Sequence, residues 1–185
     1  MKCIISDQRI DYDGIQINSL WAYTIYKVQD DSIVCFRGGC DVTAGHMIDL
    51  EDRLNEERIY SPDMIHFIAE HFDSTSIALA YTRQRLMSCI AGEALRDRRI
   101  SSTRSGDDLF LNGEKASISI ASASAVSHKI HFGINVRSDE WGSLEKVGVL
   151  DPDELMAEIG SRYAAECDDI QRDLRKSRPL EVFSS

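Results

Sequence analysis

Two opposite charges lie seven positions apart across a turn signal. In GDDLFLNGEKASISIA (residues 106–121), Asp108 precedes and Lys115 follows the dipeptide Asn112-Gly113. Asn-Gly favours a type I′ hairpin turn, because both of its central residues need positive φ. A two-residue loop pairs Phe110 with Lys115 and Asp108 with Ser117, so Asp108, Lys115, Ser117 and Ser119 are expected on one face. An ammonium held there could bind a carboxylate or phosphate oxygen on which negative charge develops. The next strand pattern, KIHFGINVR (129–137), sets Ile130, Phe132, Ile134 and Val136 on one side. Lys129, His131, Gly133, Asn135 and Arg137 fall on the other. The three strands are therefore expected to share one apolar and one polar face. The plain alternative is a solvated face, as in most antiparallel sheets. Small serines, a glycine, His and Asn instead leave room for a ligand, and a glycine inside a strand marks close approach.

The elements that position these residues can be read from periodicity and caps. KCIIS near the start and residues 32–39 (SIVCFRGG) read as strands, and residues 19–28 (SLWAYTIYKV) as an amphipathic helix capped by Asn18 or Ser19. Residues 61–72 (SPDMIHFIAEHF) read as a helix with Ser61 as cap and Pro62 in the first position. A second helix is expected over 77–96, with arginines gathered at its C-terminal end. Residues 104–137 switch to period two. Residues 151–177 open with Asp151 as cap, Pro152 and Glu154, followed by one apolar stripe. Strands and helices come in runs instead of alternating. The expected fold class is α+β: a mixed, largely antiparallel sheet with helices packed on one face, in a single domain spanning 1–185.

Composition narrows the function classes. Against 31 acidic residues stand 21 basic ones, and the net charge of −10 repels phosphate backbones and anionic lipid. No nucleic-acid or membrane partner is expected. No apolar run approaches the ~20 residues of a membrane span, and the first residues turn polar too early for a signal peptide, so a cytoplasmic location is expected. Five scattered cysteines without a C-x-x-C pair argue against a disulfide framework and a zinc site.

At these residues the chain resembles the superfamily of biotin protein ligases, lipoate protein ligases and octanoyltransferases. The likeness rests on GDDLFLNGEKAS (106–117), HFGINV (131–136) and FRGGCDVTAGH (36–46), which keep the order and spacing of the superfamily over about half the chain. The whole sequence also resembles a mainly archaeal family, domain of unknown function 366, as an outlying branch. The resemblance implies a fold like the catalytic domain of class II aminoacyl-tRNA synthetases. It further implies chemistry that attaches a small carboxylic acid to an amine, on a lysine-bearing acceptor protein or a small molecule, with ATP as cofactor in the ligases. Lys115 would hold carboxylate and phosphate oxygens, and Asp108 would sit near the acceptor amine. Arg37, Gly38 and Gly39 would face the acyl or phosphate group, and His46, Ser117, His131, Gly133 and Asn135 would line the pocket.

The departures bear on that chemistry. No cysteine follows Val136 until Cys167, where octanoyltransferases place a nucleophile sooner, although Cys40 lies beside the glycines. The basic adenylate loop of biotin ligases is reduced to Arg37. No C-terminal accessory domain is expected, so its role would fall to a partner chain, a second copy included. A catalytically silent small-molecule-binding domain on the same fold is the alternative. No metal site is expected: His66 and His71 are five apart on the expected helix, and His46 near Asp49 reads as a polar loop start. The arginines over 96–104 could grip phosphate, though arginines at a helix end more often simply favour the dipole and solvent, and the pair at 83 and 85 carries the same ambiguity.

Overall fold

The computed structural model describes residues 1–55 and 58–177. Its main sheet has five strands in the order β1-β2-β3-β8-β7. These are β1 (Lys2–Arg9), β2 (Ser32–Val42), β3 (Ile59–His71), β7 (Ser117–Ala123) and β8 (His128–Arg137). Strands β1 and β2 run parallel, and every other neighbouring pair is antiparallel. A smaller sheet holds β4 (Ser102–Ser105), β5 (Asp108–Leu111) and β6 (Glu114–Lys115). The expected mixed, largely antiparallel α+β architecture is what the chain forms.

Two long helices, α3 (Ile77–Asp97) and α4 (Pro152–Lys176), cover one face of the sheet. Ile65, Phe67, Phe132 and Ile134 of the sheet pack there with Leu95, Leu155, Ile159 and Tyr163 of the helices. Helix α4 starts on the cap read from sequence, Asp151, which accepts from Glu154 N at 2.9 Å, and α3 starts on Ser76, which accepts from Leu79 N at 3.3 Å. On the other face, Val34, Phe36, Met64 and Ile68 are covered by Tyr12, Ala22 and Met47 from irregular segments and the short helix α1 (Trp21–Tyr26). A further short helix, α2 (Leu50–Leu54), follows β2.

The helix expected over 61–72 is instead part of β3. Alternate residues of a strand point to opposite faces, and here both faces are buried: Ile65, Phe67 and Ala69 face the helices, Met64 and Ile68 the other layer. A strand buried on both sides reads as a continuous apolar run, which periodicity alone does not separate from a helix. Pro62 is accommodated because the ladder shifts register between Gly38 and Cys40, where no N–H is needed from it. Helix α1 is also shorter than expected. Neither Asn18 nor Ser19 caps it; Leu20, in the left-handed region at φ 65°, does so, and its N–H donates to the buried Glu70 carboxylate at 2.9 Å.

The hairpin turn forms as read. Asn112 and Gly113 have φ of 51° and 83°, and Phe110 pairs with Lys115. Beyond it, however, the strand breaks at Ala116, which is buried together with Ser117. That offset inverts the rest of the strand. Ser117 pairs with Ile134 and Ser119 with Phe132, so both serines face the helices, while Ile118 and Ile120 lie beside Gly133 and His131 on the other face. The expected common polar face is therefore not formed: Ser117 is separated from His131 by the sheet itself.

Candidate functional site

On the face away from the helices, Tyr12, Ile118, Ile120, His131, His46 and Met47 help to line a cavity of about 70 Å³. Most of the lining is apolar. Its polar lining comprises His46, Asp49, Ser119 and His131, the last belonging to a stack of rings built by two neighbouring strands. His66 of β3 pairs with Gly133 of β8, which sets it diagonally beside His131. His66 Nδ1 and His131 Nε2 share a hydrogen bond of 3.1 Å, and the rings stack with centroids 5.3 Å apart. Tyr12 stacks on His131 at 3.6 Å and Phe36 on His66 at 5.0 Å. Burial pushes His66 down to about 4, and burial followed by the neighbouring His66 pushes His131 well below its ordinary value. Both rings are neutral at pH 7.

Gly133 serves this stack. A Cβ there would lie 3.0 Å from Met64 Cε and 3.4 Å from His66 Nδ1. The space it leaves is used by the protein's own side chains, and the sequence signal of close approach points inward to them.

Lys115 and Asp108 form an ion pair of 3.0 Å, each partly exposed. Leu109 and Leu111 turn into the helix-side core, so by alternation Asp108, Phe110 and Lys115 lie on the opposite face of the small sheet. Neither charge is among the described residues that line the cavity. Lys115 lies three residues before Ile118, at most about 10 Å along an extended chain.

The other expected site residues have structural duties. Arg37 pairs in register with Ile65, which turns into the helix-side core, and its guanidinium grips Asp63 at 2.7 Å and Asp153 of α4 at 2.9 Å. Asp63 is also bound by Arg9 at 2.9 Å. At Gly38 a Cβ would lie 2.0 Å from the Ile10 carbonyl oxygen, and Gly39 N donates to the Asp11 carboxylate at 2.7 Å. The Arg37-Gly38-Gly39 segment thus docks the chain that follows β1, where a ligand was expected. Asn135 Nδ2 donates to the Gly142 carbonyl at 3.1 Å and anchors the loop after β8. Ser117 Oγ accepts from Leu109 N at 2.8 Å. Cys40 is buried, its thiol pushed up to about 12 by burial and then Asp41, which removes it as a nucleophile. Of the expected pocket residues, His46 and His131 line the cavity.

The residues that sequence reasoning missed are Tyr12, His66, Ile118 and Ile120. Tyr12 lies in a segment without periodicity, and reading residues 61–72 as a helix hid the pairing of His66 with strand β8. The five-residue spacing of His66 and His71 places them on opposite faces of a strand. His71 accordingly sits on the helix side, 2.9 Å from the Tyr163 hydroxyl. There, His71, Asp73 and His128 approach one another closely enough to suggest cation ligands. The Arg83 guanidinium fills that position, 2.7 Å from Asp73 and 3.0 Å from His128 Nε2.

ATP, implied by the resemblance, does not fit the segment expected to bind its phosphates. Arg37 is held by two carboxylates, Gly38 is covered by Ile10, and none of the described residues that line the cavity is Lys or Arg.

Comparison with known proteins agrees with the fold. An uncharacterised protein of Methanocaldococcus jannaschii, MJ0805, is 43% identical over 97% of this chain and 86% of its own length. The structure of a protein of unknown function from Pyrococcus horikoshi superposes with a TM-score of 0.92 at 38% identity, covering 97% of this chain and 98% of that one. Biotin protein ligase from Aquifex aeolicus in complex with biotin and ATP shares the fold, with a TM-score of 0.58 at 14% identity over 95% of this chain and 73% of the ligase. The model of the family described as a domain of unknown function (DUF366) matches residues 1–178, and the chain belongs to that family.

Proposed function

We propose that this protein binds a small carboxylic acid, or its acyl group, in the cavity beside Tyr12 and His131 and presents the carboxyl end at the rim for attachment to an amine. Lys115 is the cation that holds the carboxyl oxygen, and Asp108 orients Lys115 and accepts from the incoming amine. The observation that carries this reading is the Lys115–Asp108 ion pair, three residues along the chain from Ile118 of the cavity wall. The likeness of the fold to a ligase that binds biotin supports it. When an amide forms from an acyl thioester donor, the amine nitrogen bonds to the carbonyl carbon, the carbon–sulfur bond breaks, and the proton lost by the nitrogen leaves on the departing thiol.

Titration of the protein with biotin, lipoic acid and octanoic acid tests the reading. At least one acid should bind, and Lys115→Ala should weaken it about tenfold, as loss of a charge-assisted hydrogen bond does. Equal affinity in the variant would remove Lys115 from the site. The closed Gly38–Gly39 segment favours a second reading, a silent binding domain. Under it an acid binds, yet neither pyrophosphate from added ATP nor an amide with an added amine is formed.

A further inference from the structure

The size of the cavity limits what can occupy it. In a protein interior a space of about 150 Å³ takes up one benzene molecule, with its six carbon atoms. On that scale the cavity of about 70 Å³ takes up about three. Val42, Met47, Ile48, Ile59, Ile118 and Ile120 supply its apolar lining. Two of these come from β7, where Ile118 pairs with Gly133 and Ile120 with His131. Gly133 lets Ile118 settle close to the sheet: a Cβ there would lie 3.3 Å from Ile118 Cγ1. The wall at His131 is held in place by Tyr12, stacked at 3.6 Å, and by the hydrogen bond to His66.

The polar lining gives a carboxylate little to hold. The Ser119 hydroxyl accepts from Gln84 Nε2 at 2.8 Å and donates to the His131 carbonyl at 2.9 Å, so it is already used. His131 Nε2 is engaged with His66. His46 comes with Asp49, whose carboxylate would repel that of a ligand. An acid therefore goes in by its hydrocarbon end and keeps its carboxyl group at the rim.

We propose that the cavity takes an unbranched hydrocarbon end of about three carbons, so that the acid it serves is a straight-chain one of four or five carbons, or the matching acyl group, with Ile118 setting the limit. The placing of the carboxyl end rests on the acid-binding reading; the limit on the chain rests on the cavity alone. Each carbon that goes in adds about fourfold in affinity, and a carbon left outside adds little. Octanoic acid can still bind by its tail, whereas the rings of biotin and lipoic acid are too bulky.

The test is a titration with the straight-chain acids from acetic to octanoic, followed through the methyl resonances of Ile118 and Ile120. Affinity should rise about fourfold per carbon as far as butanoic or pentanoic acid and then stay level to octanoic acid within about twofold. A rise that continues to octanoic acid would overturn the limit. Cyclohexanecarboxylic acid should bind at least about tenfold more weakly than pentanoic acid, and equal or tighter binding would overturn it too. Ile118→Ala takes three carbon atoms from the wall, so the level region should begin about three carbons later and octanoic acid should exceed butanoic acid by at least about tenfold. An unmoved onset would remove Ile118 from that role. If this variant does not fold, Ile118→Val takes away one carbon and should move the onset by one. The straight-chain alcohols, run in parallel, separate the two readings. Alcohols that level off as described while no acid binds would count against the acid-binding reading and leave the limit standing; acids that bind ever more tightly with length would do the reverse. Binding of neither series would overturn both.

Discussion

Acidification from pH 7 to pH 5 should destabilise this protein through His66. In the unfolded chain a histidine titrates near 6.5, whereas burial holds folded His66 at about 4. Between those values the unfolded state binds more protons than the folded one, so stability is full near pH 7 and declines as the pH falls toward 4. The gap corresponds to about 3 kcal/mol in total, of which about 2 kcal/mol is already lost at pH 5. His131, also held neutral by burial, acts in the same direction. Urea unfolding followed by circular dichroism at pH 7, 6 and 5 measures the slope. The same series on His66→Phe, where no proton can be taken up, should lose about 2 kcal/mol of the difference between pH 7 and pH 5. Parallel curves for the two proteins would refute the view that this ring is buried uncharged.

Other substitutions separate structure from chemistry. Lys115→Ala should shift stability by no more than about 0.5 kcal/mol, since its ion pair with Asp108 is partly exposed; a large drop in the unfolding midpoint would mean a structural role. Arg37→Ala should cost about 2 kcal/mol, because Asp63 is largely buried, the figure being reduced for the exposure of the arginine. It should leave ligand affinity at the cavity unchanged, which titration would check. Gly38→Ala should be the most damaging, at about 3 kcal/mol or more, with the chain at Ile10 forced off the sheet; a wild-type melting temperature would contradict that packing. Asp151→Ala removes the side-chain cap of α4 and should cost about 1 kcal/mol in chemical denaturation.

The sequence by itself determined the features whose causes lie within a few residues. Asn112-Gly113 dictates its turn because the strain of positive φ is decided at those two positions, and Asp151, Pro152 and Glu154 start α4 because a helix leaves its first N–H groups to be satisfied locally. Lys115 and Asp108 come together for the same reason: the turn between them sets their register. The α+β class followed from the order of the periodicities.

Only the tertiary structure decided where faces and partners fall. Residues 61–72 satisfy a helix start as well as a doubly buried strand, and the choice is made by β2 and β8 pairing on either side. Ser117 lost its place in the site through a single break at Ala116, because strand side chains alternate with period two and one residue of slip exchanges the faces. Arg37, Gly38 and Gly39 have the composition of a phosphate loop, yet Asp63, Asp153 and the Ile10–Asp11 backbone, all distant in sequence or brought in by the turn of the chain, use them first. The histidine pair arose the same way. His66 and His131 are 65 positions apart, and nothing short of adjacent strands and a glycine between them could bring one nitrogen within 3.1 Å of the other. Local sequence carries propensities that act through bonds; the chemistry of the site depends on contacts through space, which exist only once the sheet has closed.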